Sequence, residues 1–107
     1  MLSEKQISQV VDTYAVGKVK EVVYSGLEEF QGSRIHKYTV STSKGNFILL
    51  NSDASKMLQS IIQSSLDSVL HALKHQMNLV DVEAVNVNKY PFPLSHKFDR
   101  YFLLFKI

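Results

Sequence analysis

The clearest pattern of hydrophobic positions lies between residues 54 and 77 and predicts a long amphipathic helix. Large apolar residues recur there every three or four positions, which is the spacing of one helix face. They are Leu58, Ile61, Ile62, Leu66, Val69, Leu70, Leu73 and Met77. The opposite face is polar, so we expect the apolar stripe to pack against a β-sheet, and Asn78 is a suitable residue to end the helix.

A shorter helix is predicted near the N-terminus, over residues 4–16. Ser3 and Gln6 have the Ser-x-x-Gln spacing of a capping box, in which two side chains satisfy backbone amides that the first turn leaves unpaired. Apolar residues follow at helical spacing: Ile7, Val10, Val11 and Tyr14. Gly17 is expected to stop this helix, because glycine tolerates the left-handed conformation that follows a helix end.

Three strands are predicted between the two helices. Residues 18–25 are rich in valine with charged residues interleaved, which is typical of a strand with one face in water. Residues 26–33 contain two glycines and are interpreted as a loop. Residues 34–42 alternate in part, and residues 47–50 are apolar on both faces, which favours a central strand. Gly45 lies between these two segments and predicts a hairpin turn.

Two further strands are predicted after the long helix. Residues 79–89 alternate and then change phase near Ala84 and Val85, as a β-bulge would produce. Residues 100–107 form the last strand, and residues 90–99, which include two prolines, form a loop. The order α-β-β-β-α-β-β predicts an α+β fold with one mostly antiparallel sheet and the helices, the long one included, packed on one face.

Composition agrees with a single α+β domain over residues 1–107. Hydrophobic residues make up 45% and charged residues 21% of the chain, which are ordinary globular proportions and exclude a disordered tail. The absence of cysteine excludes disulfides and thiolate metal sites. The net charge of +2 comes from scattered lysines with only two arginines, so charge does not indicate a nucleic-acid partner.

The chain also lacks membrane and export signals. No run approaches the roughly 18 apolar residues that a membrane-spanning helix needs. The N-terminus has no basic segment followed by an apolar run, as a secretory signal would. A cytoplasmic protein without membrane contact is therefore expected.

The loop over residues 90–99 is the strongest candidate for a contact surface. Its large apolar residues are Tyr90, Phe92, Leu94 and Phe98. Pro91 and Pro93 restrict the backbone, so the loop would lose little entropy on binding, and aromatic residues are favoured interface anchors. The alternative is that these rings fold back and close one end of the core.

Chemistry-bearing residues give weaker patterns. Asp67, His71 and His75 are spaced four apart on the long helix, and two histidines at that spacing can hold one metal ion. The glutamate of a His-Glu-x-x-His zinc motif is missing, and a solvated polar face explains the same residues. His36 could act as a general base, but no nucleophile or phosphate-binding motif accompanies it. We therefore expect neither enzyme activity nor a cofactor.

The order α-β-β-β-α over about residues 3–77 resembles that of double-stranded-RNA-binding domains. The resemblance implies a lysine cluster at the start of the second helix, where the helix dipole assists phosphate binding. Lys56 occupies that position here, and Lys44 in the hairpin turn is another candidate phosphate contact. The predicted helix start from Asp53 to Lys56 carries one acid and only one lysine, so nucleic acid is not the expected partner.

These observations favour a small non-enzymatic module that binds a protein partner and acts as an adaptor, an inhibitor or another regulator. A homodimer or larger homo-oligomer could form through the last strand, if that strand is a sheet edge, or through the overhanging end of the long helix. Lys18, Lys20 and Glu21 indicate that the first strand is a protected edge. The alternatives are a domain that binds double-stranded RNA and a small metal-dependent or hydrolytic enzyme.

Overall fold

The computed structural model describes residues 2–30, 32–52, 67–79, 82–85 and 102–107. The order of the described elements, α-β-β-β-α-β-β, is the predicted one. They are α1 (Glu4–Asp12), β1 (Val19–Phe30), β2 (Ser33–Thr42), β3 (Gly45–Ser52), α2 (Asp67–Gln76), β4 (Glu83–Val85) and β5 (Phe102–Lys106).

The five described strands form one sheet in the order β1-β2-β3-β5-β4, and every neighbouring pair is antiparallel. Strand β3 is central, as predicted from the apolar residues on both of its faces. Its residues from Phe47 to Leu50 are all buried. A strand that is apolar at consecutive positions needs cover on both sides.

That cover comes from two helices on opposite faces of the sheet, which corrects the prediction that the helices share one face. One buried cluster contains Ile7, Val10 and Val11 of α1. It also contains buried residues with even numbers in β2 and β5 and with odd numbers in β3. We call this side the α1 face. The opposite positions, Ile48 and Leu50 among them, cluster with Leu73 and Met77 at the end of α2. We call that side the α2 face.

The N-terminal helix begins as its sequence predicts. The Gln6 amide donates to the Ser3 hydroxyl at 3.2 Å, and the Ser3 amide donates to the Gln6 side chain at 2.9 Å, so the capping box is complete. The helix ends at Asp12, earlier than predicted, because Ala15 adopts a φ of 56° two residues before Gly17. Tyr14 is nevertheless buried in the cluster on the α1 face, and this burial raises the pKa of its hydroxyl far above the ordinary value.

Helix α2 ends at the predicted residue. Asn78 has a φ of 59°, its amide donates to His75, and the Leu79 amide donates to Lys74, which together form a Schellman motif. Residues 54–66 lie outside the described residues, so the structure shows a helix of ten residues, Asp67–Gln76, and does not show the predicted long one. The described part contains no helix that is long and apolar enough to cross a membrane.

One prediction about strands is wrong, and the condition on which another depended is not met. The segment 26–33 is not a loop, since β1 runs through Gly26 to Phe30 and pairs with β2 over that length. The last strand is not an edge, because β5 lies between β3 and β4 and pairs with both. Self-association through the edge of the last strand is therefore not available at Leu104–Lys106, where β4 already occupies that side.

Three hydrogen bonds join the segment that follows α1 to the β2–β3 hairpin. The Lys18 amide donates to the Ser43 hydroxyl at 2.9 Å, and the Ser43 amide donates back to the Lys18 carbonyl at 2.9 Å. The buried Thr42 hydroxyl donates to the Val16 carbonyl at 2.7 Å. Gly17 lies between these bonds with a φ of +100°. The hairpin turn itself is the predicted one, with Thr42 paired to Gly45.

Candidate functional site

Strand β1 is the long end strand of the described sheet, and it exposes apolar side chains. It pairs with β2 on one side and has no second partner strand among the described residues. Val23 is 48% exposed, Tyr24 39% and Leu27 41%. An end strand presents alternate backbone amides and carbonyls to its surroundings, so another strand can add to it. We call the stretch from Val23 to Leu27 the β1 edge.

A β-bulge determines which face these residues occupy. The pairing with β2 shifts register between Tyr24 and Gly26, which leaves Ser25 as an additional residue. Tyr24 is paired with Tyr38, and Leu27 with His36. Because both partners are even positions of β2, Tyr24 and Leu27 lie on the α1 face although three positions separate them. A regular strand would place them on opposite faces.

Three aromatic side chains hold the middle of β1 against β2. The Tyr24 hydroxyl lies 2.9 Å from Nδ1 of His36, and the Tyr24 and Tyr38 rings have centroids 5.3 Å apart. His36 is only 6% exposed. The Leu2 amide donates to the Tyr38 hydroxyl at 3.0 Å, which links the chain just before α1 to the same group. These contacts hold Tyr24 against β2 while 39% of its surface stays exposed.

The charges of β1 are distributed unevenly along it. Lys18 directly precedes it and Lys20 lies near its start, and together they outnumber Glu21, whereas Glu28 and Glu29 lie near its end. Glu29 is paired with Arg34 across the hairpin, but Glu28 is paired with Ile35 and has no cation directly opposite. The β1 edge therefore lies between a basic and an acidic end.

The anchors of the predicted contact loop, Tyr90, Phe92, Leu94 and Phe98, lie outside the described residues. The same holds for Lys56, the lysine at the predicted start of the second helix. Lys44 is exposed in the hairpin turn, next to Gly17. It is thus brought close to Lys18 at one end of the sheet.

The structure brings two of the three predicted metal ligands together. His71 and His75 are exposed on α2, and their rings meet edge to face with centroids 4.7 Å apart. Asp67 opens the same helix, but its side chain is not among those described. Within the described residues no group of three or more histidines, cysteines or carboxylates is close enough to hold a metal ion.

The apolar residues of the β1 edge were missed by sequence reasoning. Val23 and Tyr24 fit a strand with one buried and one solvent-exposed face, so no feature of the sequence indicated that both side chains are exposed. Lys18, Lys20 and Glu21 did indicate an end strand, and that interpretation agrees with the observed strand order. The remaining signal was Gly26, which marks a bulge when it occurs inside a strand rather than in a loop.

Comparison with known proteins provides no relative from which to transfer a function. No protein-family model, no curated protein and no solved structure matches this chain. The functional argument therefore starts from the β1 edge.

Proposed function

We propose that this chain is a small non-enzymatic binding module that takes up a protein strand along the β1 edge. The single observation that carries the proposal is the exposure of Val23, Tyr24 and Leu27 on an end strand of twelve residues. Strand addition derives its affinity from backbone hydrogen bonds and its specificity from alternate side chains. The β1 edge offers both.

The polar groups near the β1 edge support binding rather than catalysis. Tyr24 and His36 are the pair best suited to acid–base chemistry, but they are hydrogen-bonded to each other and His36 is buried. A general base must come within hydrogen-bond reach of the proton that it removes. The pair instead fastens β1 to β2 next to the exposed side chains.

The proposal is tested by site-specific photo-crosslinking in cells of the native host. A benzophenone amino acid replaces Leu27 in one variant and the exposed Ala72 of α2 in a matched control. Because Leu27 lies on the proposed contact surface, we expect covalent protein adducts at position 27 and few at position 72. Equal yields at the two positions, or no adduct at position 27, would contradict the proposal.

A further inference from the structure

We infer that the strand added at the β1 edge is β1 of a second copy of this chain, which makes the protein a homodimer with one continuous sheet. This inference rests on the proposed function and names its partner. When one strand pairs with its own copy about a two-fold axis, the two strands run antiparallel and the same residues meet from both sides. The charge pattern of β1 can therefore be compared with the same pattern read in the opposite direction.

The charge distribution is self-complementary under that symmetry. Lys18 and Glu28 each lie five positions from Val23, in opposite directions. With the two-fold axis at Val23, Lys18 of one copy lies opposite Glu28 of the other, and the contact occurs twice. By the same count Glu21 lies opposite Ser25 and meets no like charge directly. A parallel arrangement would instead align lysine with lysine and glutamate with glutamate.

The apolar residues are also placed for this pairing. A two-fold axis perpendicular to the sheet keeps each face on its own side, so on the α1 face Tyr24 of one copy lies opposite Val22 of the other, and Leu27 lies opposite Val19. Val23, paired with Thr39 at an odd position of β2, lies on the α2 face and meets Val23 of the second copy. Aromatic and β-branched side chains in adjacent strands stabilise such pairs.

Cysteine trapping tests the position of the axis, because the chain contains no cysteine of its own. Residues directly opposite in antiparallel strands have Cα atoms about 4.5–5.5 Å apart, which a disulfide can span. Val23→Cys should therefore form a covalent dimer with oxidised glutathione, whereas the control Ala72→Cys should not. Equal trapping of both variants, or no trapping at Val23, would overturn the inference.

Charge reversal tests the complementarity, with the dimer constant measured by sedimentation equilibrium. Lys18→Glu and Glu28→Lys should each weaken dimerisation about tenfold, since two exposed attractions become two repulsions. The double variant Lys18→Glu/Glu28→Lys should regain the native constant, and the control Lys5→Glu on α1 should leave it unchanged. If the double variant is as weak as the single variants, the proposed register is wrong.

The outcomes separate this inference from the function on which it rests. A photo-adduct at position 27 with twice the mass of the chain supports both, provided that the chain also dimerises in isolation. If the adduct has another mass and the isolated chain stays monomeric up to about 1 mM, the inference that the partner is a second copy is wrong. The proposal that the β1 edge binds a strand of another protein then still holds. No adduct, combined with a monomer, contradicts both.

Discussion

Alanine at Gly17 should destabilise the protein more than alanine at Gly45. Both glycines have positive φ, +100° and +129°, so an alanine at either position is strained by about 1–2 kcal/mol. At Gly45 the added Cβ would meet nothing within 4 Å. At Gly17 it would lie 2.6 Å from the Ser43 hydroxyl oxygen and 2.9 Å from the Lys44 amide nitrogen, closer than such atoms approach.

The neighbours of Gly17 have little freedom to move away. The Ser43 hydroxyl accepts from the Lys18 amide, so its rotation would cost that hydrogen bond. The Lys44 nitrogen is backbone and is held by the Thr42 hydroxyl at 3.1 Å. Overpacking of this kind costs about 1–3 kcal/mol, which brings the loss for Gly17→Ala to about 2–5 kcal/mol.

The assay is chemical denaturation of both variants, followed by circular dichroism. The reduced backbone entropy of the unfolded chain affects the two Gly→Ala changes alike, so their difference reports the steric contact. We expect a difference of about 1–3 kcal/mol, or about 4 °C in melting temperature for each kcal/mol in a domain near 100 residues. Adding Ser43→Ala to Gly17→Ala should relieve part of the loss. Equal losses at the two glycines would refute the reasoning.

Three further outcomes are expected. Ser3→Ala and Gln6→Ala should each lower the unfolding free energy by about 1 kcal/mol, and the double variant should lose less than the sum, because the two side chains form one capping box; urea denaturation measures this. Lys37→Met should lose about 1 kcal/mol in the same assay, since the Lys37 ammonium donates to the Met77 carbonyl at the end of α2 at 3.0 Å. Tyr14→Phe should lose less stability at alkaline pH than the native protein does. Burial raises the pKa of the Tyr14 hydroxyl, so above about pH 10 only the unfolded chain releases this proton. The free energy of unfolding of the native protein therefore falls by about 1.4 kcal/mol per pH unit there. Thermal unfolding at a series of alkaline pH values checks it, and parallel curves for the two proteins would count against it.

The parts of the fold that were predicted correctly depend on local chemistry. The capping box at Ser3, the hairpin turn at Gly45 and the helix end at Asn78 each require particular residues within a few positions. The central position of β3 followed from four consecutive apolar residues. These signals act over short distances, so the sequence displays them directly.

The parts that were wrong depend on long-range pairing or on a bulge. An apolar stripe shows that a helix packs on a sheet but not on which face, so the opposite positions of α1 and α2 could not be read from their own residues. The place of β5 beside β3 depends on contacts between distant segments. Gly26 was interpreted as a loop residue because the additional residue at Ser25 disturbs the alternation that identifies a strand.

The candidate site was predicted only in outline. The charged residues at the start of β1 indicated a sheet edge. That edge was interpreted as protected against pairing, and not as a surface that binds another strand. The difference lies in Tyr24 and Leu27, which the bulge places side by side on one face. No short-range pattern shows that juxtaposition.

The separation of the apolar interior into two halves has a consequence for how this protein tolerates change. Leu49 and Leu50 are neighbours in the chain, yet each is completely buried in a different cluster, with the strand backbone between them. A void made at one cannot be filled by side chains that surround the other. The two sides of the sheet can therefore be redesigned, or change in evolution, independently of each other.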